Sequence, residues 1–161
     1  GVDLYGKTVG VVGTGRIGRM FIDICRGFGM KVIAYDMYPV EGIDYVDLDT
    51  LYRESDIITI HTPLLPETTG MTNRETIAKM KDGVVIINTS RGTNVDEAAL
   101  LDALNSGKVR AAGLDVYADE PATNVALYSH PMVSCTPHIG SATVEAQGRI
   151  GEELVEIISK M

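Results

Sequence analysis

The chain has 161 residues, of which 45% are hydrophobic and 22% charged, as in an ordinary globular protein able to bury a core. The net charge is −8 and there is no run of Lys or Arg, which argues against nucleic acid and anionic membranes as partners. No apolar stretch approaches the length of a membrane-spanning helix, and the N-terminus lacks a signal-peptide pattern. Cys25 and Cys135 form no C-x-x-C and lie among apolar residues, so we expect buried free thiols in a reducing cytoplasm, and no metal site.

The first predicted strand, Thr8–Val12, leads directly into the sequence GTGRIG, and a predicted helix follows over Arg16–Phe28. G-x-G-x-x-G between a strand and a helix is typical of dinucleotide binding. The first glycine would make a tight turn, the second would let the backbone approach a pyrophosphate, and the third would let the helix pack on the strand. The start of the helix would offer free N–H groups to the phosphates. The residues predicted to contact the phosphates are Gly13, Gly15, Arg16, Ile17 and Gly18.

The second predicted strand, Lys31–Tyr35, ends at Asp36, which lies 18 residues after the last glycine. An acidic residue at about this distance accepts a hydrogen bond from the ribose 2′-hydroxyl of NAD. It would also repel the 2′-phosphate of NADP, and Met37-Tyr38-Pro39 supply no cation to neutralise one. We therefore expect NAD to be preferred over NADP. The alternative is that Asp36 is a solvated turn residue at the end of a strand.

The rest of the chain continues to alternate strands and helices. Further strands are predicted near Tyr45–Val46 and over Ile57–His61, Val84–Asn88, Ala111–Leu114 and Met132–Cys135. Helices are predicted over Leu48–Arg53, Arg74–Lys79, Asp96–Ser106 and Thr143–Lys160. The strands are short apolar runs, as expected where helices cover both faces of a parallel sheet. This pattern predicts an α/β protein with a Rossmann-type doubly wound parallel sheet, three layers (αβα) and a single domain over residues 1–161.

Two features of the predicted helices bear on their packing. Asp96 is the expected N-cap of the fourth helix, which should end at Gly107. The last helix has an apolar side between charged residues. The residues on that side are Val144, Ile150, Leu154, Ile157 and Ile158.

Most of the unusual polar residues follow a predicted strand. Beyond the glycine turn and Asp36 they are His61-Thr62-Pro63, Asn88-Thr89-Ser90-Arg91, Asp115 and Thr136-Pro137-His138. In a doubly wound sheet, ligands bind outside the carboxyl ends of the strands. We therefore expect these residues to share one site at a single edge of the sheet.

Arg91 follows the buried run VVIINTS, which should place it over the cleft. Its planar set of donors suits a carboxylate or an α-keto acid. The alternative is a structural arginine that holds nearby loop carbonyls in place.

His138 could exchange a proton with a hydroxyl–carbonyl pair, because imidazole titrates near neutrality. A single histidine is more often structural. Glu120, followed by a proline, could stabilise a neighbouring imidazolium, although taken alone Glu120 or Asp119 is simply an exposed loop acid. Asp115 could equally face a nicotinamide or cap a turn.

Arg91, Glu120 and His138, together with the glycine loop, resemble the NAD-dependent D-2-hydroxyacid dehydrogenase family. The matching stretches run in the family's order from Gly6 to about Gln147. They are GKTVGVVGTGRIG, KVIAYD, HTPLLPET, VVIINTSRGTNVDEAALLDAL, AGLDVYADEP and TPHIGSATVEAQ. The last is most similar to the D-3-phosphoglycerate dehydrogenase branch, whose usual pattern is G-A-S-T-x-E-A-Q. Here Ser141 and Ala142 are exchanged relative to it.

The resemblance implies hydride transfer between C2 of a D-2-hydroxy acid, here 3-phosphoglycerate, and the nicotinamide of NAD. Arg91 would bind the carboxylate and C2 oxygen, His138 would exchange the hydroxyl proton, and Glu120 would hold and charge the imidazole. Thr62 and Pro63 resemble positions that line the adenosine, and Thr89 and Asp115 positions beside the nicotinamide. The cofactor contacts implied beyond the glycine turn are Tyr35, Asp36, His61, Thr62, Pro63, Thr89, Ser90, Arg91, Asp115, His138 and Gly140.

Members of the family also have a substrate domain, built from chain on both sides of the nucleotide domain, and almost nothing here corresponds to it. We expect an excised or naturally minimal domain that binds NAD and turns over little or no hydroxy acid alone. The uncovered surface should favour self-association. Two alternatives remain: a non-catalytic NAD-sensing or interaction module of the corepressor type, and an engineered nucleotide-binding fragment.

Overall fold

The computed structural model describes residues 1–161, and its centre is one parallel sheet of six strands in the order β2-β1-β3-β4-β5-β6. The strands are β1 (Thr8–Val12), β2 (Lys31–Tyr35), β3 (Ile57–Ile60), β4 (Val84–Asn88), β5 (Val109–Leu114) and β6 (Val133–Cys135). The helices are α1 (Arg16–Gly27), α2 (Leu48–Glu54), α3 (Arg74–Lys79), α4 (Glu97–Ser106), α5 (Val125–Tyr128) and α6 (Val144–Ser159). A 3₁₀ turn over Gly92–Asn94 and α5 are the elements that the sequence did not predict. The doubly wound Rossmann-type fold is confirmed.

The strand order places a switch point between β1 and β3. The chain leaves β1 towards β2 on one side and then returns to build β3 to β6 on the other. Adjacent connections therefore diverge at the carboxyl ends of β1 and β3, which opens a crevice there. The glycine turn follows β1, so it lies at this crevice.

Helices lie on both faces of the sheet, but the two layers differ in extent. On one face α1 packs over β1 and β2, where Ile22 and Cys25 contact a small core on the strands. On the other face α2, α3 and α4 cover the larger core across the sheet. On the α1 side, Val85 and Ile87 of β4 are only half-buried. The sequence predicted strands covered on both faces, which holds for β1 but not for this part of β4.

The predicted strand at Tyr45–Val46 does not form. Tyr45 makes an isolated bridge to Ala34 at the β2 edge and no ladder follows it. Elsewhere the predicted boundaries either match the structure or differ from it by at most two residues. The expected caps of α4 are confirmed, since the Asp96 side chain accepts a hydrogen bond from the Ala99 N–H and Gly107 has a φ of +80°.

The cysteine prediction is half right. Cys25 is buried in the core under α1, whereas Cys135 is exposed. Cys135 ends β6, a three-residue strand at the edge of the sheet, where the adjoining Ser134 is exposed too. The apolar neighbours of Cys135 in sequence therefore do not translate into burial.

The last helix, α6, forms as predicted and is capped by Thr143, whose hydroxyl accepts a hydrogen bond from the Ala146 N–H. None of its residues is buried. The apolar side expected from the sequence is therefore present but unpacked, with Leu154 54% and Ile158 67% exposed. No helix in the structure combines the length and apolar character needed to cross a lipid bilayer.

Candidate functional site

The glycine turn has the close contacts that its sequence predicts. Gly13 has a φ of +95°, and a Cβ there would lie 2.8 Å from the carbonyl of His61. A Cβ on Gly18 would lie 2.1 Å from the Gly13 carbonyl oxygen, so the start of α1 packs directly against the turn. Only glycine allows both contacts without moving the backbone.

The second glycine faces open space instead. A Cβ on Gly15 would meet nothing within 4 Å, and Gly15 is the N-cap of α1 without a side chain that caps the helix. Arg16 and Ile17 form the exposed first turn, which contains no acidic residue. The amides at the positive end of this helix dipole are uncapped, and the space beside Gly15 is open because glycine has no side chain. Both features suit the binding of a diphosphate.

A cavity of about 500 Å³ extends from this turn along the crevice between β1 and β3. This volume is in the usual range for cofactor sites. Tyr35, Asp36, His61, Thr62 and Pro63, all predicted from the sequence, contribute to its wall. The sequence analysis missed the apolar part of the wall, which comes from loops beyond the strand ends and from the start of α2 and carries no polar signal. These residues are Met37, Tyr38, Val40, Leu48, Leu65 and Met71.

Asp36 is held in place by the chain itself. Its Oδ2 accepts hydrogen bonds from the Thr14 N–H (2.6 Å) and hydroxyl (3.0 Å), and its Oδ1 accepts one from the Tyr38 N–H (2.8 Å). Burial opposes ionisation, but these hydrogen bonds outweigh it and lower the pKa of the Asp36 carboxyl. The residue is thus a fixed anion at the edge of the cavity.

His61 lies directly behind the glycine turn and lines the cavity. Its Nε2 lies 3.0 Å from the Thr59 hydroxyl, and its ring packs on Phe21 with centroids 5.4 Å apart. Burial lowers the pKa of His61, which favours the neutral imidazole. These contacts make His61 a part of the wall rather than a charged group.

The loop after β4 carries the next predicted residues. Thr89 is exposed, whereas Ser90 is buried and directs its N–H and hydroxyl to Asn88 Oδ1 (3.1 and 2.8 Å). Arg91 is exposed, and its Nη1 donates to the Ser90 carbonyl (2.7 Å). The guanidinium forms no ion pair, so most of its donors are available to an anion.

Glu120 and His138 are in direct contact. Glu120 Oε2 lies 2.7 Å from His138 Nδ1, with both side chains a little under half exposed. The hydrogen bond from His138 lowers the pKa of the Glu120 carboxyl. The arrangement leaves the other ring nitrogen, Nε2, free to exchange a proton. The pair lines a second cavity of about 480 Å³ with Tyr117 and Cys135.

His138 has a φ of +54°, an uncommon left-handed conformation for a residue other than glycine. Asp115 stabilises the loop around it. Its Oδ1 accepts from the Thr136 hydroxyl (2.6 Å) and the Ile139 N–H (2.9 Å), and its Oδ2 from the Gly140 N–H (3.0 Å). These hydrogen bonds show Asp115 as a turn cap, and its place beside a nicotinamide stays a prediction.

We predict that Asp115→Asn destabilises the protein by about 1–3 kcal/mol at pH 7, because the amide NH₂ would face a loop donor that needs an acceptor. Burial disfavours the charge of Asp115, yet the three donors outweigh it and lower its pKa in the folded state. Its contribution is therefore full above the unfolded-state pKa of about 3.9 and is progressively lost as the pH falls from there through the lower folded-state pKa. Urea unfolding at pH 7 and pH 3 measures the difference. The exposed Asp3→Asn is the control, and an equal loss at both pH values would contradict the account.

The loop that carries Arg91 also contacts the segment that carries Glu120. A Cβ on Gly92 would lie 1.9 Å from the Tyr117 carbonyl, so the backbone of the loop after β4 contacts the backbone of the loop after β5. Arg91 itself forms no hydrogen bond or ion pair with Glu120 or His138. The structure thus brings Glu120 and His138 together, and it places Arg91 in an adjoining loop at the same edge of the sheet.

Comparison with known proteins identifies relatives along nearly the whole chain. The family model described as "D-isomer specific 2-hydroxyacid dehydrogenase, NAD binding domain" matches residues 1–140. A hydroxypyruvate reductase of Thermotoga maritima is 52% identical over 99% of this chain and 54% of its own length. A D-3-phosphoglycerate dehydrogenase of Mycobacterium tuberculosis (strain ATCC 25618 / H37Rv) is 48% identical over 98% of this chain and 31% of its own length.

The solved structures agree with the sequence relatives. The D-lactate dehydrogenase of Aquifex aeolicus, solved in complex with NAD and lactic acid, has a TM-score of 0.92 at 40% identity and covers 98% of this chain. The chain covers 54% of that structure. This chain therefore spans about half, or less, of the length of the relatives it matches.

Proposed function

The chain belongs to the D-isomer-specific 2-hydroxyacid dehydrogenases as their NAD-binding domain, and from this membership we propose that it serves hydride transfer between NAD and a D-2-hydroxy acid. The single observation that carries the proposal is the Glu120–His138 pair, 2.7 Å apart, at the same edge of the sheet as the glycine turn. NAD, when bound, supplies the carbon that accepts or returns the hydride. The protein supplies binding, orientation and a proton exchanger.

His138 is the proposed acid–base group. During oxidation its Nε2 takes the proton of the substrate hydroxyl, while Nδ1 stays hydrogen-bonded to Glu120. The ionised Glu120 stabilises the imidazolium that forms. Arg91 binds the substrate carboxylate and the C2 oxygen with the donors that Ser90 leaves free.

The cofactor contacts are proposed from the residues that line the cavity beside the glycine turn and, for the nicotinamide side, from the family resemblance. The α1 amides with Gly13, Gly15 and Gly18 bind the pyrophosphate, and Asp36 binds the ribose 2′-hydroxyl. Arg16 and Ile17 flank the phosphates on the exposed first turn. The residues proposed to contact the adenosine half of NAD are Tyr35, His61, Thr62 and Pro63. Those proposed to contact the nicotinamide half are Thr89, Ser90, Arg91, Asp115, His138 and Gly140.

The substrate class is a small D-2-hydroxy or 2-oxo acid, and we propose 3-phosphoglycerate as its member. Support comes from the similarity to D-3-phosphoglycerate dehydrogenases at 48% identity. Hydroxypyruvate is the first competitor, because a relative at 52% identity carries that name. Initial rates of NADH formation or loss with both compounds, measured on a complete protein that contains this chain, decide between them.

The same assay tests the function as a whole. We expect the chain alone to bind NAD and to turn over little hydroxy acid, because no second lobe closes over the substrate to exclude water. A complete protein that contains this chain together with a substrate lobe should transfer hydride. If that protein binds NAD and transfers none, the NAD-sensing alternative is favoured. Robust turnover by the 161-residue chain would contradict the need for a second lobe.

We also propose that the chain associates with a second copy of itself and that it is located in the cytoplasm. Ile17, Met20 and Ile24 form one stripe on α1 that continues to Phe28 at its C-cap, and each of these residues is at least 57% exposed. A stripe of this kind favours pairing with a second copy of the chain, which sedimentation at several concentrations would reveal. The two free cysteines fit a reducing compartment.

A further inference from the structure

Glu97, the first residue of α4, binds a segment that is distant in sequence. Its Oε1 accepts hydrogen bonds from the Ala118 N–H (2.9 Å) and the Tyr128 hydroxyl (2.8 Å), and its Oε2 accepts one from the Asn124 amide (3.1 Å). All three donors belong to residues 117–128, the stretch between β5 and the end of α5. Glu120 lies in this stretch.

This segment reaches both members of the Glu120–His138 pair. The Tyr117 N–H donates to Glu120 Oε1 (3.4 Å), and the Tyr117 hydroxyl donates to the Thr136 carbonyl, two residues before His138. The Tyr117 ring packs edge-on against Tyr128, with centroids 4.7 Å apart. The partners of Glu97 are therefore one contact away from the groups that orient both catalytic side chains.

A simpler explanation is that Glu97 only favours the helix dipole, as acids in a first turn generally do. That explanation needs no partner beyond α4, whose N-cap function is already performed by Asp96. It leaves three hydrogen bonds unexplained, from donors 21 to 31 residues away. Charge-assisted bonds of this kind are the stronger ones in proteins and fix the geometry of a loop.

We propose that Glu97 is a positioning residue that holds the 117–128 segment so that Glu120 meets His138. This inference rests on the proposed function of that pair. Glu97 contacts neither substrate nor cofactor. Replacing it should therefore change the pKa of Glu120 and kcat, and it should not change the binding of the adenosine half of NAD.

The test is a carboxyl NMR titration of Glu120 in the 161-residue chain, with Glu97→Ala, Glu97→Gln and Tyr128→Phe. In the wild type, the His138 hydrogen bond holds the Glu120 pKa below its usual value. We expect Glu97→Ala to raise it towards the ordinary glutamate value of about 4.3. Glu97→Gln retains an acceptor and should give a smaller rise, as should Tyr128→Phe. The other ionisable groups that act on Glu120, His138 and Asp115, are unchanged in every variant.

Glu75→Gln is the matched control, because Glu75 is a first-turn acid of α3 outside the site. ADP-ribose affinity should stay within about twofold of wild type in all variants. A wild-type Glu120 pKa in Glu97→Ala would overturn the proposal; if that variant does not fold, an unchanged pKa in both Glu97→Gln and Tyr128→Phe would overturn it instead. A wild-type chain that binds no NAD would count against the proposed function, which separates the two failures.

Discussion

His138→Asn is expected to lower kcat/KM of a complete protein containing this chain by about 10²–10⁴-fold, the usual contribution of a general acid–base group. Asparagine tolerates the left-handed backbone that His138 adopts at a φ of +54°, so the loop should keep its conformation. The variant removes the ring nitrogen that exchanges the proton. It leaves the glycine turn and Asp36 intact, so any loss of NAD affinity should come from the nicotinamide contact of His138 alone and be much smaller than the loss in kcat/KM.

Steady-state kinetics in both directions, together with NAD titration, provide the measurement. The matched control is His130→Asn, which alters a loop histidine whose Nδ1 accepts from the Met132 N–H (3.1 Å) and which lies outside the pair. Its kinetics should remain near wild type. Equal rates for His138→Asn and the wild type would remove His138 from the chemistry.

Gly18→Ala is expected to destabilise the chain by about 1–3 kcal/mol and to abolish most NAD binding. The new methyl group would lie 2.1 Å from the Gly13 carbonyl oxygen, so either the turn or the start of α1 must shift. That shift would move the amides that face the pyrophosphate. Urea unfolding and calorimetric titration of NAD measure the two effects.

Two other glycines provide controls for this result. A Cβ on Gly15 meets nothing within 4 Å, so Gly15→Ala should lose no more stability than the about 1 kcal/mol of a poorer N-cap residue. It should still lose NAD affinity, because the methyl group would occupy the space of the pyrophosphate. Gly27→Ala, also in open space but at the far end of α1, should leave NAD binding unchanged and should not lower the stability, because alanine favours the helix over glycine. Wild-type NAD binding by Gly15→Ala would contradict the proposed phosphate site.

The glycine turn could be predicted from the sequence because its determinants are local. A strand, three glycines and a helix follow one another within about 20 residues, and the periodicity of each is visible. Asp36 was found for the same reason, as the end of the next strand. The prediction of a strand at Tyr45–Val46 was wrong. A strand forms only where it pairs with a neighbour over several residues, and the sequence does not reveal that Tyr45 makes one isolated bridge.

The less predictable features depend on distant contacts. The role of Asp115 is fixed by donors at Thr136, Ile139 and Gly140, more than 20 residues along the chain. Cys135 is exposed because β6 is a short edge strand, which apolar neighbours in sequence do not show. The sequence correctly predicts the apolar side of α6 as a helix face, and the structure leaves that face unpacked because no other element of the chain reaches it.

The most direct test of the account is a titration of the chain with NAD and with NADP, repeated with Asp36→Ala and with the exposed control Asp44→Ala. The account predicts that the wild type and Asp44→Ala bind NAD at least about tenfold more tightly than NADP, the effect of about 1.4 kcal/mol. Asp36→Ala should bind NAD more weakly and lose the preference. Equal affinity of the wild-type chain for both cofactors would contradict the claim that Asp36 binds the ribose 2′-hydroxyl at this edge of the sheet.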